Sequence, residues 1–331
     1  MNLLRLGKRL ILTVFVFIGA ASLNFFLPRL TGNDPISERI AQLGDSGDGM
    51  SAEALQALTE SYTKRFGFDQ PLLQQYLSYL GDMLRLDFGY SLAFFPSRVW
   101  ELIAMALPWT IGLMVTTTLI SFAIGSIIGA LAVWQNSKLS QIIMPTLMVF
   151  AAVPFYLVGL VLIYFIAFQL RLLPTGGGFS ILKVPSWSWS FAFDVLYHAL
   201  LPAISIGLSS IGVWALSMRG MMVTIQGEDY MSFADARGLT KPRMFLHYGL
   251  RNAMLPQITM LALALGQVVT GAILVEIVFS YPGLGNLLLQ AVRGSDYFLI
   301  YGIVMILVLT ISFATLLLDL IYPLLDPRVR Q

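Results

Sequence analysis

Residues that commonly carry enzyme chemistry are scarce in this sequence of 331 residues. It contains no cysteine, which excludes a catalytic thiolate and a disulfide framework. Its two histidines, His198 and His247, are too few for a histidine metal cluster. Gly207, Ser209 and Ile211 do not complete the G-x-S-x-G turn of a serine hydrolase, because position 211 is not glycine. We therefore expect no catalytic residue and no metal site in the chain.

The glycine-rich stretches do not match the pattern that binds nucleotide phosphates. A phosphate-binding loop needs G-x-x-x-x-G-K-[S/T], so that backbone N–H groups and a lysine surround the phosphates. The only Gly-Lys pair, Gly7 and Lys8, lacks both the upstream glycine and the following hydroxyl residue. The run Gly176, Gly177 and Gly178 has no lysine in the required place. Any nucleotide chemistry must therefore be supplied by another chain.

A polar, basic stretch, residues 229–256, separates two strongly apolar regions. Four of its residues share one face of a short helix, at spacing i, i+3, i+4 and i+7: Tyr230, Phe233, Ala234 and Arg237. Gly238 is predicted to end this helix in the left-handed conformation, which carries no Cβ penalty for glycine. Thr240 is predicted to cap the next helix, with Pro242 in its first turn. The stretch therefore predicts two helices that meet at a tight corner.

At these positions the chain resembles the permease subunits of ATP-binding-cassette importers, in the dipeptide, oligopeptide and nickel branch. Gly238 matches the fixed glycine of that family's cytoplasmic "EAA" loop. The three positions that name the loop are here Ser232, Phe233 and Ala234, and only the last agrees. The other matching residues are Arg251, Asn252, Ala253 and Pro256, then Glu276, Phe279, Pro282, Gly283 and Gly285, and the closing Asp326, Pro327 and Arg328.

The resemblance implies an all-α membrane protein with the type I importer permease fold, six transmembrane helices and a cytoplasmic coupling helix. It implies a second, different permease subunit, two ATPase subunits that bind ATP and Mg, and an extracytoplasmic solute-binding protein. The residues expected to contact the ATPase are Tyr230, Phe233, Ala234, Asp235, Arg237 and Gly238. The same resemblance favours short peptides as cargo, with oligosaccharides as the alternative. A plain solvated loop is the alternative for the coupling stretch.

Composition independently indicates a polytopic membrane protein. Hydrophobic residues make up 57% of the chain and charged residues only 11%, whereas about 25% charged is typical of soluble domains. We expect membrane lipid, and no nucleic acid, among its partners.

Six apolar stretches are long enough to cross about 30 Å of hydrocarbon. They lie at residues 10–27, 104–134, 142–170, 199–219, 255–279 and 298–322. An even number places both termini on one side, and lysine and arginine outnumber acidic residues on that side, which predicts the cytoplasm. A cleaved signal peptide is the alternative for the first stretch. The sequence thus predicts a bacterial inner-membrane protein with an N-terminal span (1–27), an extracytoplasmic region (28–101) and a five-helix permease core (102–331).

The extracytoplasmic region contains two stretches with helical periodicity, at residues 51–66 and 73–84. In the second, the apolar positions are Leu73, Tyr76, Leu80 and Leu84. Neither stretch is apolar enough to cross the membrane. They either cover the outer rim of the bundle or help to dock a soluble partner.

Polar groups within the apolar stretches are mostly neutral. The candidates for lining a passage are Thr117, Ser121, Ser209, Gln267 and Thr270, although hydrogen bonding between helices is the commoner role of such residues. A secondary carrier, the rival transport class, usually places ionisable residues near the midplane. Here only Glu276 and Asp319 fall within spans, each near an end, where we expect interfacial carboxylates that reach water.

Overall fold

A computed structural model of the protein describes residues 3–30, 59–61, 63, 69–135, 138–268 and 273–325. Within these ranges the regular structure is helical, and the one β feature is an isolated antiparallel bridge between Tyr90 and Arg98. The prediction of an all-α chain is confirmed at this level. The first predicted amphipathic stretch, 51–66, lies mostly outside the described residues.

The helices follow the apolar stretches of the sequence in order. They are α1 (Leu3–Leu30), α2 (Leu72–Leu84), α3 (Val99–Gln135), α4 (Lys138–Ala152), α5 (Phe155–Leu162), α6 (Trp189–Gln226), α7 (Asp229–Ala236), α8 (Arg251–Gly266), α9 (Ile273–Val278), α10 (Leu284–Arg293) and α11 (Tyr297–Leu325). A π-helix, Ile163–Gln169, continues α5. A helical turn, Lys241–Arg243, and a second π-helix, Met244–Leu250, lead into α8.

Among the described residues, three helices are long and apolar enough to cross a membrane: α3, α6 and the Tyr297–Leu316 part of α11. A bent pair, Ser140–Ala152 and Phe155–Gln169, makes a fourth if it is one span. Ile11–Leu27 is a shorter apolar helix. Length and composition therefore show three to four spans, and the count of six stays a prediction.

The third apolar stretch, predicted at residues 142–170, is bent by 101° between α4 and α5. Pro154 lies at the bend, where its missing N–H removes a helical hydrogen bond. The Ser209 hydroxyl donates to the Val153 carbonyl at 3.2 Å, so α6 satisfies a carbonyl at the break. The fifth stretch, expected over 255–279, is also divided, since α8 begins at Arg251 and ends at Gly266 and α9 begins at Ile273.

The chain divides into two units, Met1–Pro108 with Leu284–Phe313 and Trp109–Gly283 with Ala314–Gln331. The predicted core, 102–331, contributes to both. In the first unit α2 packs on α1 through aromatic contacts, with the Phe25 ring 5.2 Å from that of Tyr79. Tyr79 and Met83 are the buried residues of α2, whereas Leu73 and Leu84 are exposed. The predicted helix is therefore present, and the leucines at its two ends lie outside its contact with α1.

Asp296 is a fully buried carboxylate in the first unit. It accepts hydrogen bonds from the Ser91 hydroxyl, the Ala93 N–H at 2.9 Å and the Leu299 N–H at 3.0 Å. The last of these caps the first turn of α11. Asp296 thereby joins the loop before α3 to the start of α11.

In the second unit α6 is the central helix, and close backbone contacts explain why its neighbours carry glycine. A Cβ at Gly125 of α3 would lie 2.6 Å from the Ile211 carbonyl oxygen. A Cβ at Gly212 of α6 would overlap the Leu147 carbonyl of α4. Small residues at these contacts let the helix backbones approach closely, as is usual within membrane bundles.

Candidate functional site

The corner after α7 has the geometry of a Schellman motif. Gly238 adopts a φ of +72°, and its N–H donates to the Asp235 carbonyl at 2.8 Å. The next N–H, of Leu239, donates to the Ala234 carbonyl at 3.2 Å. These two bonds are the 5→2 and 6→1 bonds of the motif, which ends a helix at a left-handed residue. The predicted left-handed end at Gly238 is confirmed.

The next helical turn begins as predicted, except for its cap. Thr240 is extended and occupies the N-cap position, with Pro242 in the first turn. Its hydroxyl makes no capping hydrogen bond, and its carbonyl instead accepts from the Met244 N–H at 3.0 Å. The predicted side-chain cap was therefore wrong, while the entry into the helix was right.

The inner face of α7 is held by a small apolar cluster, which we call the α7 anchor. Its buried members are Met231, Ala234 and Met244, and the side chains packed on them are Trp134, Ile225, Tyr230, Leu239 and Tyr248. Trp134 is near the end of α3, Ile225 is near the end of α6, and Tyr248 belongs to the π-helix before α8. The α7 anchor therefore joins α7 to three helices of its unit.

The outer face of α7 is free of such contacts within the described chain. Phe233 is 70% exposed, and Asp235 and Arg237 are also exposed. Phe233 and Arg237 are four residues apart, so they lie on one face. Of the residues predicted to bind the ATPase, Ala234 and Tyr230 therefore belong to the α7 anchor, and the available surface consists of Phe233, Asp235 and Arg237 beside Gly238.

A basic face follows the corner. It was not predicted from the sequence. Arg243, His247 and Arg251 are exposed and recur at intervals of four residues. With Tyr248, Asn252 and Leu255 they line a shallow recess. The Asn252 amide donates to the Tyr248 carbonyl at 2.8 Å, and Ala253 is fully buried. The arginine-asparagine-alanine run thus combines an exposed charge, a backbone clip and a packing contact.

A second cluster of matching residues, 276–283, is enclosed by glycines. The Gly177 N–H donates to the Phe279 carbonyl at 2.8 Å, and a Cβ at Gly176 would overlap that carbonyl. A Cβ at Gly159 would lie 2.8 Å from the Phe279 ring, and one at Gly178 would lie 2.6 Å from Pro282. We call this arrangement the glycine clasp. The glycine run that does not fit a phosphate therefore fits the backbone after α9.

Glu276 lies in a different environment from the one predicted. It is fully buried, and a Cβ at Gly283 would overlap its carboxyl group. The expectation of an interfacial carboxylate reaching water was therefore wrong in this conformation. The Tyr281 N–H donates to the Glu276 carbonyl at 2.8 Å. Burial raises the pKa of Tyr281 to about 12, and the Glu276 charge adds to the rise.

The structure describes four of the five residues predicted to line a path. Thr117 and Ser121 are buried where α3 approaches Gly207 of α6, so they face a helix contact in this conformation. Ser209 is buried and donates to Val153 at the α4–α5 bend. Gln267, which follows α8, is exposed. Thr270 lies outside the described residues.

The α4–α5 bend forms a concave site that the sequence did not reveal. A cavity of about 360 Å³ is lined there by Val153, Pro154, Phe155, Ser209, Ser210 and neighbouring side chains. Irregular backbone at membrane depth is tolerated where protein or water satisfies it. Among the described residues, no group of three or more His, Cys, Asp or Glu side chains could hold a metal ion.

Comparison with known proteins gives one consistent result. Residues 121–331 match the protein family described as "Binding-protein-dependent transport system inner membrane component". The chain is 32% identical to the dipeptide transport system permease protein DppB of Escherichia coli (strain K12), over 98% of both chains. It is 29% identical to the oligopeptide transport system permease protein AppB of Bacillus subtilis, over 97% of this chain and 98% of that one. It is 31% identical to a probable peptide ABC transporter permease protein of Sinorhizobium fredii, over 98% of both.

Proposed function

The chain belongs to the family of binding-protein-dependent inner-membrane transport components, as a permease subunit for peptide import, and we propose that α7 couples it to an ATPase. The observation that carries this proposal is the contrast between the two faces of α7. One face exposes Phe233 and Arg237, and the other is held by the α7 anchor. A surface that must transmit movement needs both a contact for the partner and a firm attachment behind it.

The exposed face suits a groove on a protein partner. An aromatic side chain that fills a pocket, with an arginine at its rim, is a common arrangement of binding hot spots. Phe233 supplies the aromatic group and Arg237 the guanidinium. The basic face of Arg243, His247 and Arg251 follows the corner in sequence and adds a second exposed basic surface to the 229–256 stretch. We assign α7 the main contact and the basic face an electrostatic supporting role.

The attachment behind α7 determines which helices would move. The α7 anchor contacts residues at the ends of α3 and α6 and in the π-helix that leads into α8. A displacement of α7 would therefore be transmitted to all three. The Schellman motif at Gly238 fixes the angle at which α7 meets the π-helix, so the corner acts as a stiff joint.

The complete transporter contains parts that this chain does not supply. We propose a second, different permease subunit, two cytoplasmic ATPase subunits that bind ATP and Mg, and a solute-binding protein outside. The family description itself names dependence on a binding protein. We further propose six spans with both termini in the cytoplasm of a bacterial inner membrane, because the basic residues of the 229–256 stretch favour the cytoplasmic side.

Peptides, rather than oligosaccharides, are the cargo class. The relatives described above are named as dipeptide, oligopeptide and peptide permeases. The residues that line the cavity at the α4–α5 bend, among them Phe155, Ser209 and Ser210, carry no charge. A neutral lining tolerates many peptide side chains, and selection among peptides is left mainly to the binding protein.

The coupling proposal is tested by truncating the exposed aromatic side chain. Phe233→Ala removes a contact expected to contribute about 2 kcal/mol, so ATPase subunits should bind the permease about 30-fold more weakly. Leu73→Ala is the matched control, because Leu73 on α2 is also 70% exposed. ATPase subunits retained on the purified permease, and ATP-driven peptide uptake, are the measurements. Equal retention and uptake in both variants would refute the proposed coupling surface.

A further inference from the structure

The first half of α6 carries a continuous exposed stripe of large apolar side chains. Its members are Trp189, Phe193, Leu196, Leu200 and Ile204, with exposed fractions that fall from 83% to 37% along the helix. They are separated by three or four residues and therefore share one face. This face begins at the first residue of α6 and continues into the part of the helix that crosses the membrane.

The opposite face of α6 shows how this chain builds contacts between helices. Ser205, Ser209, Gly212 and Ala215 are buried there. Gly212 approaches the α4 backbone, and the Ser209 hydroxyl donates to the Val153 carbonyl at the α4–α5 bend. Small and hydroxyl residues are typical of helix contacts in membranes, whereas large apolar side chains are typical of surfaces that face lipid. The exposed stripe is therefore lipid-facing in character.

The segment 181–189, which ends at the first residue of α6, extends this apolar surface beyond the helix. Ile181, Leu182, Val184 and Trp187 are each at least 80% exposed, and Trp189 continues into the stripe. Exposed clusters of this kind mark interaction surfaces rather than ordinary loops. Trp187 and Trp189 are also of the residue type that concentrates at the boundary between lipid headgroups and acyl chains.

Polar contacts hold this apolar segment in place. The Asp194 carboxylate accepts from the Ser180 N–H at 2.7 Å and from the Ser180 hydroxyl at 2.8 Å. The Lys183 ammonium lies 3.2 Å from the same carboxylate and donates to the Ser190 carbonyl at 3.1 Å. Ser188 caps α6 by accepting from the Phe191 N–H. Both ends of the 181–189 segment are thus tied to α6 while its apolar side chains point away.

We propose that the 181–189 segment is a membrane-interface anchor, which inserts Trp187, Trp189 and their aliphatic neighbours into the lipid headgroup boundary. The partner is the lipid surface itself, because the segment is continuous with the lipid-facing stripe of α6. Its one charged side chain, Lys183, is paired with Asp194 and donates to Ser190, so the exposed apolar side chains enter the boundary without a buried unpaired charge. The anchor fixes the depth of the α6 start. The leaflet that the anchor enters depends on the topology of the chain. The collision experiment gives the same result in either leaflet.

The absence of cysteine allows a direct test by spin labelling of the assembled importer. Single cysteines at Leu182 and at Trp187 are labelled in nanodiscs of phosphatidylethanolamine and phosphatidylglycerol. Collisions with oxygen, which is concentrated in lipid, are compared with collisions with a water-soluble nickel chelate. A label at Phe193 serves as the lipid reference, and a label at the exposed Gln70 serves as the water reference, because Gln70 lies outside the proposed ATPase contact.

The expected result is that nickel collisions at both positions fall below about half of those at Gln70, while oxygen collisions stay high as at Phe193. Adding the binding protein and peptide should change neither value. Nickel collisions equal to those at Gln70 would overturn the proposal, since the segment would then lie in water. Protection from both reagents, with or without the binding protein, would also overturn it, because a protein would then cover the surface.

The role of the polar contacts is tested separately. Asp194→Ala should increase the mobility of the label at Leu182 and raise its nickel collisions, since the carboxylate no longer holds Ser180 and Lys183. Asp69→Ala removes an exposed carboxylate outside the proposed ATPase contact and should leave the label unchanged. An unchanged spectrum in the Asp194 variant would refute the tethering by Asp194.

Discussion

Replacing Gly238 with valine would strain the α7 corner through the backbone alone. Gly238 has a φ of +72°, and no atom lies within 4 Å of the position that a Cβ would occupy. A steric clash therefore contributes nothing. A left-handed conformation costs an L-residue about 1–2 kcal/mol, and a β-branched residue lies at the upper end of that range or above it.

This penalty acts on a short element with few other supports. α7 has eight residues, and the bonds most directly affected are those donated by the Gly238 and Leu239 N–H groups. A penalty of about 2 kcal/mol shifts the local equilibrium about 30-fold toward a frayed or rotated corner. We therefore expect Gly238→Val to weaken ATPase binding and reduce ATP-driven peptide uptake, while peptide binding by the external binding protein stays unchanged.

Two variants separate backbone strain from other effects. Gly238→Asn should retain most activity, because asparagine tolerates the left-handed conformation. Gly220→Ala places a methyl group in open space within the α6 helix, where alanine is favoured over glycine by about 1 kcal/mol. Uptake is measured in proteoliposomes at equal permease abundance. Normal uptake by the valine variant would refute the assignment of the coupling corner to Gly238.

Three further predictions concern topology and packing. A cysteine at Thr240 should react with a membrane-impermeant thiol reagent only from the cytoplasmic side and one at Ser46 only from outside, and labelling of both from one side would rule out six spans. Gly176→Ala should destabilise the purified protein by about 1–3 kcal/mol, because the new methyl group overlaps the Phe279 carbonyl of the glycine clasp; an unchanged melting temperature would show that the clasp yields. Asp296→Ala should destabilise the protein by about 3 kcal/mol and lower its melting temperature further, because it leaves buried donors without an acceptor. An unchanged melting temperature would contradict the described hydrogen bonds.

Local features of the backbone were predictable from the sequence. The end of α7 at Gly238 followed from glycine's freedom to adopt positive φ, which depends on that residue alone. The break at Pro154 also has a local cause, because proline lacks an N–H. The 101° angle of the break was not predictable from the sequence, since it depends on how α6 and its Ser209 hydroxyl receive the freed backbone.

Features set by distant contacts were missed for the same reason. Glu276 was expected to reach water because it lies near the end of an apolar stretch, but Gly283 allows the chain to fold over it. Tyr230 shares the sequence pattern of the exposed face of α7, yet it packs in the α7 anchor beside Met231. Burial in these cases is decided by residues that no local periodicity identifies.

Cross-linking from the outer face of α7 tests the coupling function most directly. In the assembled importer, a single cysteine at Phe233 carrying a photoactivatable cross-linker should form a covalent adduct with an ATPase subunit, identified by mass spectrometry. The same reagent at Leu73, which is equally exposed, should form none. Adducts at Leu73 but not at Phe233, in an intact complex that transports peptides, would contradict the proposal that α7 is the coupling helix.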